Sequence, residues 1–295
     1  MSVFVQRNSS NMRYESEDSW TILSPIEQSI KQKIESVGTP LKDWDIKIYR
    51  GILTGCNDAF IVSGEKKDEL ISKDPKSAEI IRPILRGRDI KRYGYEFADL
   101  WVINTHNGIK ETKKPRIDVD NYPAIKLHLK QYYSKLAKRT DKGDTPYNLR
   151  NCAYMDDFDK QKIIFQEMVQ TPSFMLDTDE HFLCLDTGRI IVGKNIKYLL
   201  ALMNSDLFFF AIKYFYGGGS LGGTGVRMKH TFFEKFNAII PDENTLSKIE
   251  EIVDDIITHK DVGDKNNNLL NNIINSMYGL SENEINYISS TTFSM

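Results

Sequence analysis

Residues 198–216, YLLALMNSDLFFFAIKYFY, constrain this chain more than any other stretch. A helix that is apolar on nearly every side has to be enclosed by other elements. Asn204, Asp206 and Lys213 interrupt the run too often for a membrane span. The stretch therefore predicts a helix over 195–214 buried inside a folded, soluble protein. The rest of the chain has the means to cover it. Its 295 residues are 40% hydrophobic, 11% aromatic and 27% charged, enough to bury a core and offset the ordering entropy in one large domain or two modest ones.

Other elements follow from capping and periodicity. Ser24-Pro25 sets an N-cap and first helical position for a helix over 25–37, stopped by Gly38 and Pro40. Residues 45–50 alternate as a half-buried strand does, 59–63 form a second short run, and 51–58 link the two. Residues 77–85 read as helical despite Pro83, and 97–104 as a strand. The spacing of Ile125, Leu129, Tyr132, Tyr133 and Leu136 predicts one amphipathic helix over 123–139. Four short runs, 162–169, 173–176, 181–185 and 189–192, suggest an antiparallel meander. A glycine-rich loop spans 217–225, and everything beyond Pro241 reads as helix. The first twenty residues are polar and are expected to be a poorly ordered arm. The resulting class is α+β: a β-rich core with interspersed helices and a helical C-terminal part.

Charge is balanced overall, 39 basic residues against 41 acidic, but unevenly distributed. Residues 82–150 hold sixteen Lys/Arg and eight Asp/Glu, whereas 241–295 hold three and ten. This points to a basic working surface in the middle and an acidic C-terminal part. Cys56, Cys152 and Cys184 are odd in number and lack CxxC spacing, which argues against a disulfide framework or a zinc site and fits a reducing cytoplasm. The N-terminus has no basic start followed by an apolar core, so no signal peptide is expected.

The densest cationic cluster is Arg82, Arg86, Arg88, Lys91 and Arg92, opposed at once only by Asp89. Guanidinium forks pair with phosphates or with the acceptor edge of guanine, so such a turn suits a DNA-contacting edge. The plainer reading is a solvated turn with internal ion pairs. Lysines on 123–139, with Lys142 and Arg150, form a second basic band that equally fits an ordinary charged helix face. The GGGSLGGTG stretch lacks the Gly-Lys-Ser/Thr of a phosphate loop and follows a helix. Beside it, Arg227 and Lys229 suit a clamp on a polyanion. Asp99 with Glu111 and Lys113 resembles a metal-binding D…ExK arrangement, although Glu111 follows a polar loop where a strand end is needed. The five histidines form no metal spacing, and no nucleophile elbow or dinucleotide fingerprint is present.

Four ordered segments, WDIKIYRGILTGCNDAFIV (44–62), IIRPILRGRDIKRYGYEF (80–97), LRNCAYMDDFDKQKIIFQEM (149–168) and NIKYLLALMNSDLFFFAIKYF (195–215), resemble the TaqI-like C-terminal specificity domain. That domain is the target-recognition region of adenine-specific DNA methyltransferases and of fused restriction-modification enzymes. The MYGLSENEI run at 277–285 is also similar to the C-terminus of those proteins. The resemblance implies a recognition domain over 21–240, a helical segment over 241–295, double-stranded DNA as partner, and a methyltransferase domain or subunit that carries S-adenosylmethionine. The family's Asn/Asp-Pro-Pro-Tyr/Phe loop has no counterpart; Asp120-Asn121-Tyr122-Pro123 holds similar letters in the wrong order. No catalysis, cofactor or metal is expected of this chain alone.

Within the shared motifs, Arg86, Arg88, Lys91 and Arg92 are the first candidates for DNA contact. Arg50 and Asn57 in the first segment, and Arg150 and Gln166 in the third, come next, because Asn and Gln pair with adenine and Arg with guanine; for Asn57 and Gln166 the satisfaction of local backbone groups is an equal alternative. Arg227 and Lys229 suit phosphates. Two rivals stay open: a nuclease using Asp99, Glu111 and Lys113, and a protein-interaction scaffold presenting the acidic helices 245–259 and 266–277.

Overall fold

Ser24 and Pro25 start the first helix as predicted. In the computed structural model, which describes residues 23–179, 182–219, 225–259 and 264–292, helix α1 is Pro25–Ser36. The Ser24 hydroxyl accepts from the Glu27 amide, and the Glu27 carboxylate accepts from the Ser24 amide, closing a capping box. The expected arm over 1–20, His181 and the centre of the glycine-rich loop lie outside the described residues. Strand β1 (Ile46–Arg50) is followed by β2 (Ile61–Ser63), helix α2 (Gly64–Lys73), and strands β3 (Ile81–Leu85) and β4 (Leu100–Ile103). Helices α3 (Pro123–Lys130) and α4 (Tyr133–Lys138) lead to β5 (Lys162–Gln166), β6 (Phe174–Asp177), β7 (Leu183–Cys184) and β8 (Gly188–Gly193). The chain continues through α5 (Ile196–Met203), α6 (Asp206–Tyr214), α7 (Glu243–His259), α8 (Asp264–Met277) and α9 (Glu282–Thr292). This is an α+β protein.

The central sheet runs β6-β5-β8-β1 and is antiparallel throughout. It is covered on both faces. Ile163, Phe165, Phe174, Leu176 and Ile191 enter a core shared with α1, α5, α6 and the C-terminal helices. Ile164, Met175 and Ile190, one residue out of phase, enter a second core with α2, α3 and α4. Successive strand residues point to opposite faces, so a strand buried on both sides reads as the unbroken run Ile163-Ile164-Phe165. Among the described residues no helix is long and apolar enough to cross a membrane; the apolar run of 198–216 instead fills the first core.

The structure corrects four sequence expectations. The meander is broken, because Leu183–Cys184 leaves the central sheet and pairs parallel with β3 in a second sheet of order β7-β3-β4-β2. Residues 77–85 are a 3₁₀ turn (Pro75–Glu79) and then a strand. Pro83 is tolerated there because β7 pairs only with Ile84 and Leu85, which leaves one side of the strand open at the proline. The helix expected over 123–139 divides at Gln131–Tyr132, where i→i+3 bonds to His128 and Leu129 tighten and end α3.

The helix expected over 195–214 also divides, for a clearer reason. The Asn204 side chain accepts from the Phe174 amide at 3.1 Å and donates to the Phe174 carbonyl at 2.9 Å, standing in for a neighbouring strand at the edge of the central sheet. Ser205 then caps α6 by accepting from the Phe208 amide. The amide side chain that interrupts the apolar run thus ties the buried helices to β6.

Candidate nucleic-acid interface

The basic cluster occupies a 3₁₀ turn, Gly87–Asp89, and the small hairpin that follows it. Arg86 caps the turn. Its amide and guanidinium all donate to Asp89, the closest guanidinium bond being 2.7 Å, and Asp89 is 6% exposed. Burial alone would raise the Asp89 carboxyl, but the bonds from Arg86 outweigh it and hold the group below its ordinary range. Arg86 is therefore fixed in direction, whereas Arg88 beside it is exposed and has no side-chain hydrogen bond or ion pair among the described residues.

Arg88, Arg86 and Gly87 border an open groove whose other walls are Arg50 at the end of β1, Gln166 at the end of β5, and Asp186 with Thr187 before β8. Segments more than a hundred residues apart in sequence meet here because β1, β8 and β5 are adjacent strands whose ends lie side by side. Gly87 makes the closeness possible: a Cβ there would stand 2.8 Å from Gln166 Oε1 and 3.1 Å from Gln166 Cβ. Arg50 also lines a second depression with Arg150, Asn151 and Tyr154, backed by the stacked pair Tyr49–Tyr154 at 4.3 Å. Arg227 does not line the first groove itself but is tied to its wall, its Nε donating to Oε1 of the lining Glu167 at 2.8 Å.

Six candidates are thus brought to one surface: Arg50, Arg86, Arg88, Arg150, Gln166 and Arg227. The others stand elsewhere or do other work. Arg92, at the hairpin tip, turns inward; it donates to the Asn204 carbonyl and lies 3.6 Å from Asp206, pinning the hairpin to the break between α5 and α6. Tyr93 beside it adopts φ 59° and is 4% exposed. Lys91 is exposed and pairs with Glu96. Asn57 is exposed on a helical turn and accepts from the Thr54 hydroxyl, a local bond. Lys229 precedes a short helix, His230–Phe233, and does not line either depression.

The nuclease candidates are separately engaged. The Asp99 carboxylate accepts from Trp101 Nε1 at 2.8 Å and lies against Gly64, while Glu111 and Lys113 sit on a turn closed by the Ile109 and Lys114 pairing. Among the described residues no three His, Cys, Asp or Glu side chains are grouped so as to hold a metal ion. The acidic helices 245–259 and 266–277 direct Ile249, Val253, Ile256, Leu270 and Ile274 into the first core.

Sequence reasoning missed Glu167 and its second partner, Arg189, which donates to Oε2 at 2.6 Å. Burial would raise this carboxyl too, but the bonds from Arg189 and Arg227 prevail and lower it. The signal was the position of Glu167 next to Gln166, just past a strand end where side chains turn toward solvent.

The strand ends of the central sheet thus present arginines and a glutamine to one open groove. The sequence model of the TaqI-like C-terminal specificity domain matches residues 82–219, the stretch that holds the third and fourth of the four motifs and nearly all of the second. Among solved structures, the chain is similar to the type IIL restriction-modification enzyme MmeI, solved in complex with DNA, at 14% identity and a TM-score of 0.62. That likeness covers 86% of this chain and 36% of the other, and at such identity it concerns the fold. The type IIG restriction endonuclease BpuSI aligns at 13% identity and a TM-score of 0.48, over 86% of this chain and 33% of that one. The chain thus spans about a third of the length of either protein. No curated relative matches the sequence.

Proposed function

We propose that the chain is the target-recognition part of a restriction-modification enzyme. It reads a short double-stranded DNA sequence and positions an adenine-specific methyltransferase domain, which holds S-adenosylmethionine, over the target base. The observation that carries this reading is the convergence of Arg50, Arg88 and Gln166, from three separate motifs, on one groove beside the fixed Arg86. The family match over 82–219 supports it.

The mechanism divides labour among these side chains. Guanidiniums at the rim, Arg227 and Arg150, hold phosphates and set register without reading bases. Arg88 carries the donor fork for a guanine edge and Gln166 the amide for an adenine edge, once its Nε2 leaves the Met168 carbonyl to which it donates in the free chain; each is worth on the order of 1–3 kcal/mol of discrimination. Fluorescence-anisotropy titration of the chain against randomised duplex pools, over a salt series, tests the proposal. Arg88→Ala should weaken binding and flatten the log-log salt slope by about 0.9 if it meets one phosphate, or erase preference at one position if it meets a base. Arg92→Ala should leave DNA binding intact and lower the melting temperature. No enriched motif and no salt slope in the unaltered chain would refute the reading.

A further inference from the structure

Most arginines that line the groove, or that bond to its Glu167, already hold a carboxylate. Arg50 donates to Asp186 at 3.1 Å, Arg86 to Asp89 at 2.7 Å, and Arg189 and Arg227 share Glu167 at 2.6 and 2.8 Å. Among the described residues that line the groove, Arg88 is the one cation with no such partner.

The pairs fall into two kinds. The Arg86–Asp89 and Arg189–Glu167 pairs are closed, with side chains between 6% and 28% exposed, and they build the turn and the strand ends. The Arg50–Asp186 pair is open on both sides, 47% and 39%, and Arg227 is 47% exposed against its shared Glu167. Open pairs of this kind are worth only about 0–1 kcal/mol, so a ligand displaces them cheaply. A phosphate that does so, however, leaves a bare carboxylate beside a polyanion. That repulsion offsets much of the gain from the arginine unless base contacts add to it.

We propose that Asp186 and Glu167 are specificity-determining residues, which occupy Arg50 and Arg227 in place of phosphate and so hold back duplexes lacking the recognised bases. The inference rests on the DNA-recognition reading above and deepens it. It also accounts for a DNA-facing surface on a chain whose formal charge is −2. The groove gains discrimination by giving up nonspecific affinity.

The test uses the full chain and its variants Asp186→Asn, Glu167→Gln and Asp254→Asn. The last is a charge-matched control, because Asp254 on α7 accepts from Lys197 on α5 and neither residue lines the groove. Each protein is titrated with a random 20-base-pair duplex from low to high salt, eluted from heparin, and tested for selection from a duplex pool. Asp186→Asn should bind the random duplex up to roughly eightfold more tightly at 0.1 M salt, with a salt slope steeper by about 0.9, and elute later from heparin. Glu167→Gln should act in the same direction, and both should lower the ratio of selected to random binding. Asp254→Asn should match the unaltered chain. Since the Asp186 side chain is 39% exposed and forms no part of either core, its variant keeps the fold even if Glu167→Gln loses stability. If the unaltered chain selects a motif while Asp186→Asn behaves as Asp254→Asn does, the carboxylate proposal falls and the recognition reading stands. If the unaltered chain selects none, both fall.

Discussion

Glu284 should be the acid-sensitive clamp that holds the C-terminal helix to the first one. Its Oε2 accepts from Lys33 Nζ at 2.7 Å and from the Ser281 amide and hydroxyl at 2.7 and 2.9 Å, and its Oε1 accepts from Ser29 at 2.7 Å. The side chain is 6% exposed. Burial alone would raise the carboxyl, but these donors outweigh it and bring the group from the ordinary 4.5 down to about 2. At neutral pH that difference corresponds to roughly 3 kcal/mol of stability, reduced toward about 2 because Lys33 is a third exposed and partly screened. The folded value lies below the unfolded one, so the contribution is fully present above about pH 4.5 and is lost as pH falls toward 2. Glu284→Gln should therefore lose roughly 2–3 kcal/mol at pH 7 in urea unfolding followed by circular dichroism, and the gap from the unaltered chain should narrow at pH 3. A gap equally large at both pH values, or one near zero at pH 7, would refute the clamp.

Two other positions give sharp expectations. Lys162 and Asp177 form a pair at 2.5 Å that is 0% and 1% exposed, and Asp177 also accepts from the Phe182 amide. Asp177→Asn strands a buried ammonium and should cost about 3–5 kcal/mol by chemical denaturation, whereas Lys162→Met with Asp177→Leu should recover most of the loss; a double variant as unstable as the single would contradict this account. Gly87→Ala pushes on Gln166 at 2.8 Å. It should change stability by less than about 1 kcal/mol and lower discrimination at one base by roughly 1–3 kcal/mol in competition with single-base variants, and unaltered base preference would count against Gln166 as a reader.

Elements governed by local chemistry were legible in the sequence. The cap at Ser24, the alternation leading into Arg50, and the periodic helix carrying Ile249, Val253 and Ile256 all stand as read. Elements decided by distant partners were not. Leu183–Cys184 looks like one more turn of a meander until β3 offers it a parallel neighbour. The apolar helix breaks because Asn204 finds Phe174, thirty residues earlier. The same holds for the surface. The cluster from Arg86 to Arg92 marked a basic turn correctly, but only the hairpin reversal at Tyr93 decides that Arg92 points inward while Arg88 points out. Arg50 and Gln166 were named from motifs, and their meeting with Arg88 depends on strand order, which periodicity does not encode. The carboxylates were invisible for a related reason: Asp186 and Glu167 become meaningful only when seen against arginines brought in from other strands.

The two-sided burial of β5 has a consequence for how such a protein diversifies. Inserting or deleting one residue between Ile163 and Phe165 would trade the occupants of two interiors at once, so the middle of the strand has no neutral path of change. One step beyond Phe165 that restriction ends, and Gln166 and Glu167 answer to no interior packing. Related proteins with new DNA preferences should therefore differ at the terminal residues of β1, β5 and β8 while keeping the same filling between them, a pattern of fixed frame and exchangeable tips.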